Sequence, residues 1–157
     1  MRPVSLSDSE RILRWRNSTT ARNVSSLGRE IDDSEHREWF SSRIRRISSE
    51  PYWMMTFNGN NVGFVRLDLS DNLFNMFTVS IFVDSEYRML GIGRQMLRLA
   101  FDSITNENED YEFRAVISRD NVSSIRLFKS FNFEYFAELD EHFSEYRRKS
   151  LSDAPSL

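Results

Sequence analysis

The chain has 157 residues, enough for one domain with a single sizeable core, and it is 39% hydrophobic and 13% aromatic, so a folded globular protein is expected. A net charge of −3 argues against a general nucleic-acid binder, no apolar run reaches the length of a membrane span, and zero cysteines exclude disulfides, thiolate metal ligands and thiol nucleophiles. The first residues, MRPVSLSDSER, lack the apolar segment of a secretion signal, so the expected location is cytoplasmic.

Of the 21 basic residues 19 are Arg, and residues 1–50 carry ten Arg against eight acids. Guanidinium forks suit phosphates and carboxylates, so a local site for an anionic ligand is compatible with this balance. For any one of Arg43, Arg45 or Arg46, a solvated helix face is the favoured reading.

In chain order, SDSERILRWRN offers a capping Ser or Asp before Ile12, Leu13 and Trp15 and predicts a helix over about 7–17. A polar loop follows through Gly28. IDDSEHREWFSSRIRRI places Trp39, Phe40, Ile44 and Ile47 at helical spacing behind Asp and Ser caps, a second helix. YWMMTF, the turn NGNN and VGFVRLDLS read as a hairpin, since Asn-Gly supplies positive φ. DNLF leads into a third strand, in which Phe77, Val79, Ile81 and Val83 alternate with Thr78, Ser80 and Phe82. After Gly91 and Gly93, a stripe from Ile92 through Met96, Leu97, Ala100 and Phe101 to Ile104 predicts a helix to about 105, ended by the acidic run NENED. YEFRAVIS reads as a strand, DNVSSIRLFKSF as a short capped helix, and FEYFAELD with HFSEYRRKS as closing strands. Arg2 to Val4 suggests a vestigial first strand. The expectation is one α+β domain over 1–149, a mixed central sheet flanked by about four helices, with a frayed tail at 150–157.

Two glycines at the start of a helix need a reason, because each costs about 1 kcal/mol against alanine inside one. A strand, a glycine turn and a helix N-terminus together present unpaired N–H groups and a positive dipole end, which suits phosphate. The dinucleotide fingerprint would need a third glycine where Met96 stands, and the ATPase loop would need Lys-Ser/Thr where Arg94 and Gln95 stand. What remains, Arg88-x-x-Gly91-x-Gly93 behind an apolar strand ending in Val83-Asp84, resembles the acyl-CoA pyrophosphate loop of the GNAT N-acetyltransferases. DNVSSIRLFKSFNFE resembles that family's second CoA-contacting element, with Asn121 opening the helix and Phe128 and Asn132-Phe133 closing it. The similarity covers roughly residues 2–149.

The resemblance implies the GNAT acyl-CoA acyltransferase fold, acetyl-CoA as co-substrate, no metal, and direct transfer of acetyl to a primary amine. It implies that backbone N–H groups from Arg88, Met89, Leu90, Gly91, Ile92, Gly93 and Arg94 hold the pyrophosphate. Ile81, Phe82 and Val83 would pair with the pantetheine arm as an added strand, with Asn121 and Phe128 also against CoA and a backbone N–H near Ile81 as oxyanion donor. Two departures stand out. The strand position where relatives often carry a glutamate base corresponds to Thr78, and the usual tyrosine acid of the second CoA helix corresponds to Phe128. Ser124 and Tyr87 are candidate donors in its place.

RILRWRN with EHREWF resembles a subgroup that acetylates nucleotide-linked amino sugars in pseudaminic and legionaminic acid biosynthesis. On that resemblance Trp15, Arg16, Asn17, His36, Trp39, Phe40 and Thr78 would line the acceptor pocket, with His36 as base and His142 as a lesser candidate. Taken singly, Trp15, Trp39 and Phe40 are more often core residues than ligand platforms, and His36 more often a capping or surface histidine. Protein N-termini or polyamines are the alternative acceptors, although Asp68, Asp71 and Asp84 are too dispersed for a polyamine site. A catalytically idle CoA-binding module is the alternative of another class. No nucleic-acid or membrane partner is expected. The sequence leaves a homodimer open.

Overall fold

The structure, a computed structural model, describes residues 1–25, 27–70, 73–104 and 111–149. Asp71, the acidic run at 106–110 and the tail 150–157 lie outside the described residues. The elements are β1 (Arg2–Pro3), α1 (Ser9–Asn17), α2 (Thr19–Asn23), α3 (Asp33–Arg45), β2 (Tyr52–Phe57), β3 (Asn60–Ser70), β4 (Leu73–Val83), α4 (Ile92–Asp102), β5 (Glu112–Ser118), α5 (Val122–Lys129), β6 (Glu134–Glu138) and β7 (Phe143–Lys149). The sequence reading differs at one point. Residues 18–28, read there as loop, hold the five-residue α2, started by Ser18, whose hydroxyl accepts from the Ala21 amide at 3.3 Å. Ser as an N-cap is the signal that a reading by apolar periodicity passes over, because α2 has no buried face.

Seven strands form one sheet in the order β1-β2-β3-β4-β5-β7-β6, antiparallel everywhere except between β4 and β5. The β2–β3 turn is made by Asn58 and Gly59, both at positive φ (48° and 79°), the geometry a two-residue hairpin turn requires. Along β3 the period of two splits side chains between the faces. Val65 and Leu67 join Phe77, Val79, Met96, Leu97, Phe101 and Phe113 under α4 and α5. Phe64 joins Ile12, Trp15, Phe40, Tyr52 and Met54 under α1 and α3.

Arg43 does not lie on a solvated helix face. Its side chain is 1% exposed, with Nε 2.9 Å from Asp68 Oδ1 and NH2 donating to the Leu67 carbonyl at 2.9 Å. A helical reading at this position cannot separate a buried ion pair from a surface charge, because both leave Arg on an otherwise polar stretch.

The feature that positions the site is the parting of β4 from β5. The two pair at Met76, Phe77 and Thr78, opposite Glu112, Phe113 and Arg114, and no further rung is formed among the described residues. On its other side β4 stays paired with β3 through Gly63 opposite Val83. Close approach there needs glycine: a Cβ on Gly63 would sit 2.3 Å from the Phe82 carbonyl oxygen. Asp84 donates to Val62 O at 2.9 Å, which makes that pair hydrogen-bonded; alternation then turns the backbone of Val83, Ile81 and Val79 away from β3, towards the gap.

Candidate active site

The turn after β4 is drawn back onto the strand by Arg88, whose Nε donates to Val83 O at 3.2 Å. Gly91 precedes α4 with φ 76° and ψ 0°, a left-handed conformation that disfavours any side chain, and a Cβ there would meet nothing within 4 Å. Gly93 is small for another reason: its added Cβ would lie 3.2 Å from Leu127 Cδ2 of α5. Gln95 is the first residue after the turn to donate a backbone bond, to Gly91 O at 3.0 Å; the amides of residues 89–94 donate none among the described residues. A row of unpaired N–H groups at a helix start is an anion site in geometry and in dipole sign.

These amides open onto a cleft of about 330 Å³ that runs from the turn along the free edge of β4 to the first turn of α5, with Ala21 and Val24 on the opposite wall. Arg88, Met89, Gly91, Ile92, Gly93 and Arg94 line it, as do Ile81, Phe82, Val83 and Asn121. Leu90 is not part of the lining and is 59% exposed. Asn121 caps α5, its Oδ1 accepting from the Ser124 amide at 3.2 Å and from the Ser123 hydroxyl at 3.0 Å. The shape suits an elongated ligand with phosphates at one end and amide groups that pair with the strand edge. That is the form of CoA, so the chain's own residues fit the cofactor that the sequence motifs imply.

A second cleft of about 420 Å³ occupies the gap between β4 and β5. It meets the first at Ala21, Val24, Ile81, Phe82, Asn121 and Ser124, which line both. Thr78 forms its floor at the last β4–β5 rung, and Phe128 lies in its wall, 3% exposed and edge-on to Phe133 at 5.0 Å. Its charged groups are Arg16, Arg29, Arg66 and Asp68. Arg29 is forked onto Glu35 at 2.8 Å on the surface. Arg66 Nε sits 2.8 Å from Asp68 Oδ2, out of line for a hydrogen bond, so this nitrogen is ion-paired but buried without a hydrogen bond among the described residues. The same carboxylate already accepts from Arg43 at 2.9 Å. Arg16 has no carboxylate in salt-bridge contact among the described residues; burial first, and then the neighbouring Arg66, pull its pKa below the usual value. Arg16 and Arg66 both stand over the Trp39 ring, at 4.5 and 4.9 Å from its centroid.

The structure therefore separates the residues grouped in sequence as an acceptor pocket. Arg16 and Thr78 line the second cleft, and Trp39 holds Arg16 from behind. Trp15 is instead a core residue, 8% exposed, packed on Phe82 with its Nε1 donating to Asp84 at 2.8 Å. Phe40 is 1% exposed in the same core. Asn17 braces the chain after α2, exchanging hydrogen bonds with both backbone groups of Ile31 at 2.8 Å. His36, placed in sequence as a base, is 1% exposed and lines neither cleft. Its Nε2 donates to Ser9 O at 3.0 Å, which leaves Nδ1 as a buried acceptor with no partner among the described residues, and its ring stacks on Phe40 at 5.3 Å. Burial lowers its pKa, which favours the neutral ring inside the α1–α3 contact. His142 is exposed beside Glu141 and lines neither cleft. Arg66 is the residue the sequence reading missed. In VRLDLS the period of two already puts Arg66 and Asp68 on one face of β3, but only the fold sets that face against Trp39.

A protein-family model, Acetyltransferase (GNAT) family, matches residues 10–133. The chain belongs to the GNAT family of acetyl-CoA-dependent N-acetyltransferases. No curated protein matches it. Among solved structures, a domain from Methanocaldococcus jannaschii is similar with a TM-score of 0.81 and 22% identity, over 94% of this chain and 96% of that one. An N-acetyltransferase from Staphylococcus aureus gives 0.76 and 22% identity, over 94% and 95%. The spermidine N-acetyltransferase of Vibrio cholerae, solved with CoA and spermine, gives 0.79 and 17%, over 95% and 94%. At these identities the likeness establishes the fold, including the mixed seven-stranded sheet. It does not select an acceptor. Among the described residues no helix is long and apolar enough to cross a membrane, and no cluster of three or more His, Cys, Asp or Glu could hold a metal.

Proposed function

We propose that this acetyltransferase acts on the amino group of an acceptor that also carries an anionic group, and that the acceptor is a nucleotide-linked amino sugar. The observation that carries this reading is the pair Arg16 and Arg66 over Trp39, two guanidiniums beside a single carboxylate, Asp68, which is ion-paired to Arg66 at 2.8 Å and is shared with Arg43. A cleft holding two like charges so close is stabilised by an incoming anion, and planar forks match phosphate oxygens. A polyamine would meet the same charges as repulsion. Solved neighbours include spermidine, ribosomal-protein-alanine and aminoglycoside acetyltransferases, so one scaffold serves several acceptor classes and the choice lies in cleft side chains.

In this reading the amides of residues 89–94 hold the pyrophosphate of acetyl-CoA, and the free backbone of Val79, Ile81 and Val83 pairs with the pantetheine amides. The Ile81 N–H faces the junction of the two clefts and serves the carbonyl oxygen as charge develops on it. The amine enters from the second cleft past Thr78 and attacks directly. The test is thiol release from acetyl-CoA with a uridine-diphosphate 4-amino sugar, a peptide with a free N-terminus, and spermidine. The nucleotide sugar should be preferred. Each of Arg16→Ala and Arg66→Ala should raise its KM roughly ten- to hundredfold, from about 1.5–3 kcal/mol per charge-assisted bond, without changing the KM for acetyl-CoA. Preference for spermidine, or a normal acceptor KM in both variants, overturns the anionic-acceptor reading. Absence of turnover with any amine would leave an idle CoA-binding module.

A further inference from the structure

We propose that the Ser124 hydroxyl relays the proton from the acceptor nitrogen to the CoA sulfur. The inference rests on reading the two clefts as the sites of acetyl-CoA and amine. Net transfer forms one N–C bond and breaks one C–S bond, while one proton leaves nitrogen and one arrives at sulfur. The acyl group must cross where the clefts meet, and six residues line both: Ala21, Val24, Ile81, Phe82, Asn121 and Ser124. None of these carries a carboxylate, imidazole or phenol. Ser124 is the single hydroxyl among them, half-buried in the first turn of α5, and it takes no side-chain hydrogen bond among the described residues.

Other hydroxyls are placed or engaged elsewhere. Tyr87 lines the first cleft alone, its ring edge-on to Phe57 at 6.4 Å. Ser123 also faces that cleft alone and is bonded to Asn121. Thr78, Ser80 and Ser118 lie in the second cleft. Asn121 reaches the junction, but its oxygen is committed to the α5 cap. Phe128, one turn beyond Ser124 on the same helix, brings only carbon.

An aliphatic hydroxyl is a far weaker acid than a thiol of pKa about 8.5, so Ser124 does not act as a net acid. As a relay it needs no acidity of its own. Its proton passes to sulfur as the C–S bond breaks, its oxygen takes the proton released by nitrogen, and the side chain ends neutral, as it began. The cofactor supplies the acetyl group and the sulfur, and the residue supplies the path.

The test compares Ser124→Ala and Ser124→Thr with the parent, using whichever acceptor the parent turns over. Ser124→Ala removes the hydroxyl and keeps the amide that Asn121 caps. Its kcat should fall by roughly ten- to hundredfold, the lower part of the range for positioned proton transfer, with the KM for acetyl-CoA and the acetyl-CoA thermal shift within about twofold of the parent. Ser124→Thr retains a hydroxyl and should keep most of the rate. Undiminished kcat in Ser124→Ala overturns the relay, and so does a loss in Ser124→Thr as large as in Ser124→Ala, which would make Ser124 a packing residue. Failure of the underlying two-cleft reading looks different: the parent itself would then show no stabilisation by acetyl-CoA.

Discussion

Replacing Arg43 by Met should destabilise the fold by about 3–5 kcal/mol, the usual cost of breaking a buried ion pair from one side. Methionine follows the stem of the arginine but leaves its partners stranded. Asp68 Oδ1 loses a donor at 2.9 Å, Glu50 Oε2 a charge at 3.5 Å, and the Glu50 and Leu67 carbonyls lose donors at 2.5 and 2.9 Å. Each group left unpaired away from water costs about 1–3 kcal/mol, so the two carbonyls alone bring the total near the lower bound. Against a typical stability of about 5–15 kcal/mol, and at roughly 2–4 °C per kcal/mol for a chain this size, Tm should fall by about 6–20 °C. The measurement is thermal and urea unfolding followed by circular dichroism, with Arg43→Lys keeping the charge but not the fork and falling between. If Tm for Arg43→Met stays within about 2 °C of the parent, the network does not stabilise the fold, and Asp68 is not held by it. The same variant bears on the acceptor cleft. Asp68, already 2.8 Å from Arg66, then no longer shares its charge with Arg43 and cancels more of that of Arg66, so the acceptor KM should rise while that for acetyl-CoA does not.

Gly91→Val should remove the thermal shift given by acetyl-CoA and lower Tm by about 2–8 °C, because a branched residue at φ 76° costs about 1–2 kcal/mol; an intact shift would take the turn out of cofactor binding. The folded-state pKa of His36 lies below its unfolded value of 6.5, so the unfolded chain takes up this proton first and the contribution of His36 to stability, present above pH 6.5, is lost as pH falls below it. Unfolding of the parent and His36→Gln between pH 7.5 and about 5 should therefore show the steeper loss in the parent, and equal slopes would refute the buried neutral ring. With no titratable side chain at the junction, the rising limb of kcat/KM against pH should follow the acceptor's own ammonium pKa and move with it from one amine to another; a fixed inflection near 6–7 for every acceptor would point to an enzyme base.

The turn and cleft where we place acetyl-CoA were legible because their geometry is written locally. Arg88-x-x-Gly91-x-Gly93 behind an apolar strand, and Asn121 as a helix cap, are patterns whose geometry follows from backbone rules within a few residues. The acceptor half is assembled from α1, α3, β3 and β4, and sequence adjacency misleads there. Trp15, Arg16 and Asn17 are consecutive, yet helical periodicity sends them to the core, the cleft and the chain after α2 respectively. His36 and Trp39, one turn apart, are both on the α1 side of α3; burial, invisible to spacing, decides that one is a neutral packing ring and the other a platform for two guanidiniums. The β2-β3-β4 meander and the closing β6–β7 pair followed from turn signals, but nothing local says that β5 lies parallel beside β4 or that β7, rather than β6, pairs with β5. The length of the β4–β5 ladder, on which both clefts depend, has no local signature.

The positive acceptor cleft and the lack of a base on β4 are two sides of one arrangement. An amine must be neutral to attack, and a charged ammonium beside Arg16 and Arg66, which have only the shared Asp68 carboxylate between them, is disfavoured, which lowers its pKa. At an effective dielectric of about 20, one unit charge about 8 Å away contributes roughly 2 kcal/mol, or about 1.5 pKa units. The anionic group of the acceptor cancels part of this field. The ammonium proton can then pass to solvent before attack, so the remaining transfer inside the site is the one from nitrogen to sulfur. A glutamate at position 78 would work against this. Thr78 stands directly across β3 from Asp68, two residues from Ser80, which faces Arg66. A carboxylate there would crowd Asp68 with a like charge and pair with Arg66, cancelling the field that binds the acceptor's anion and frees its amine. Threonine keeps that strand position uncharged.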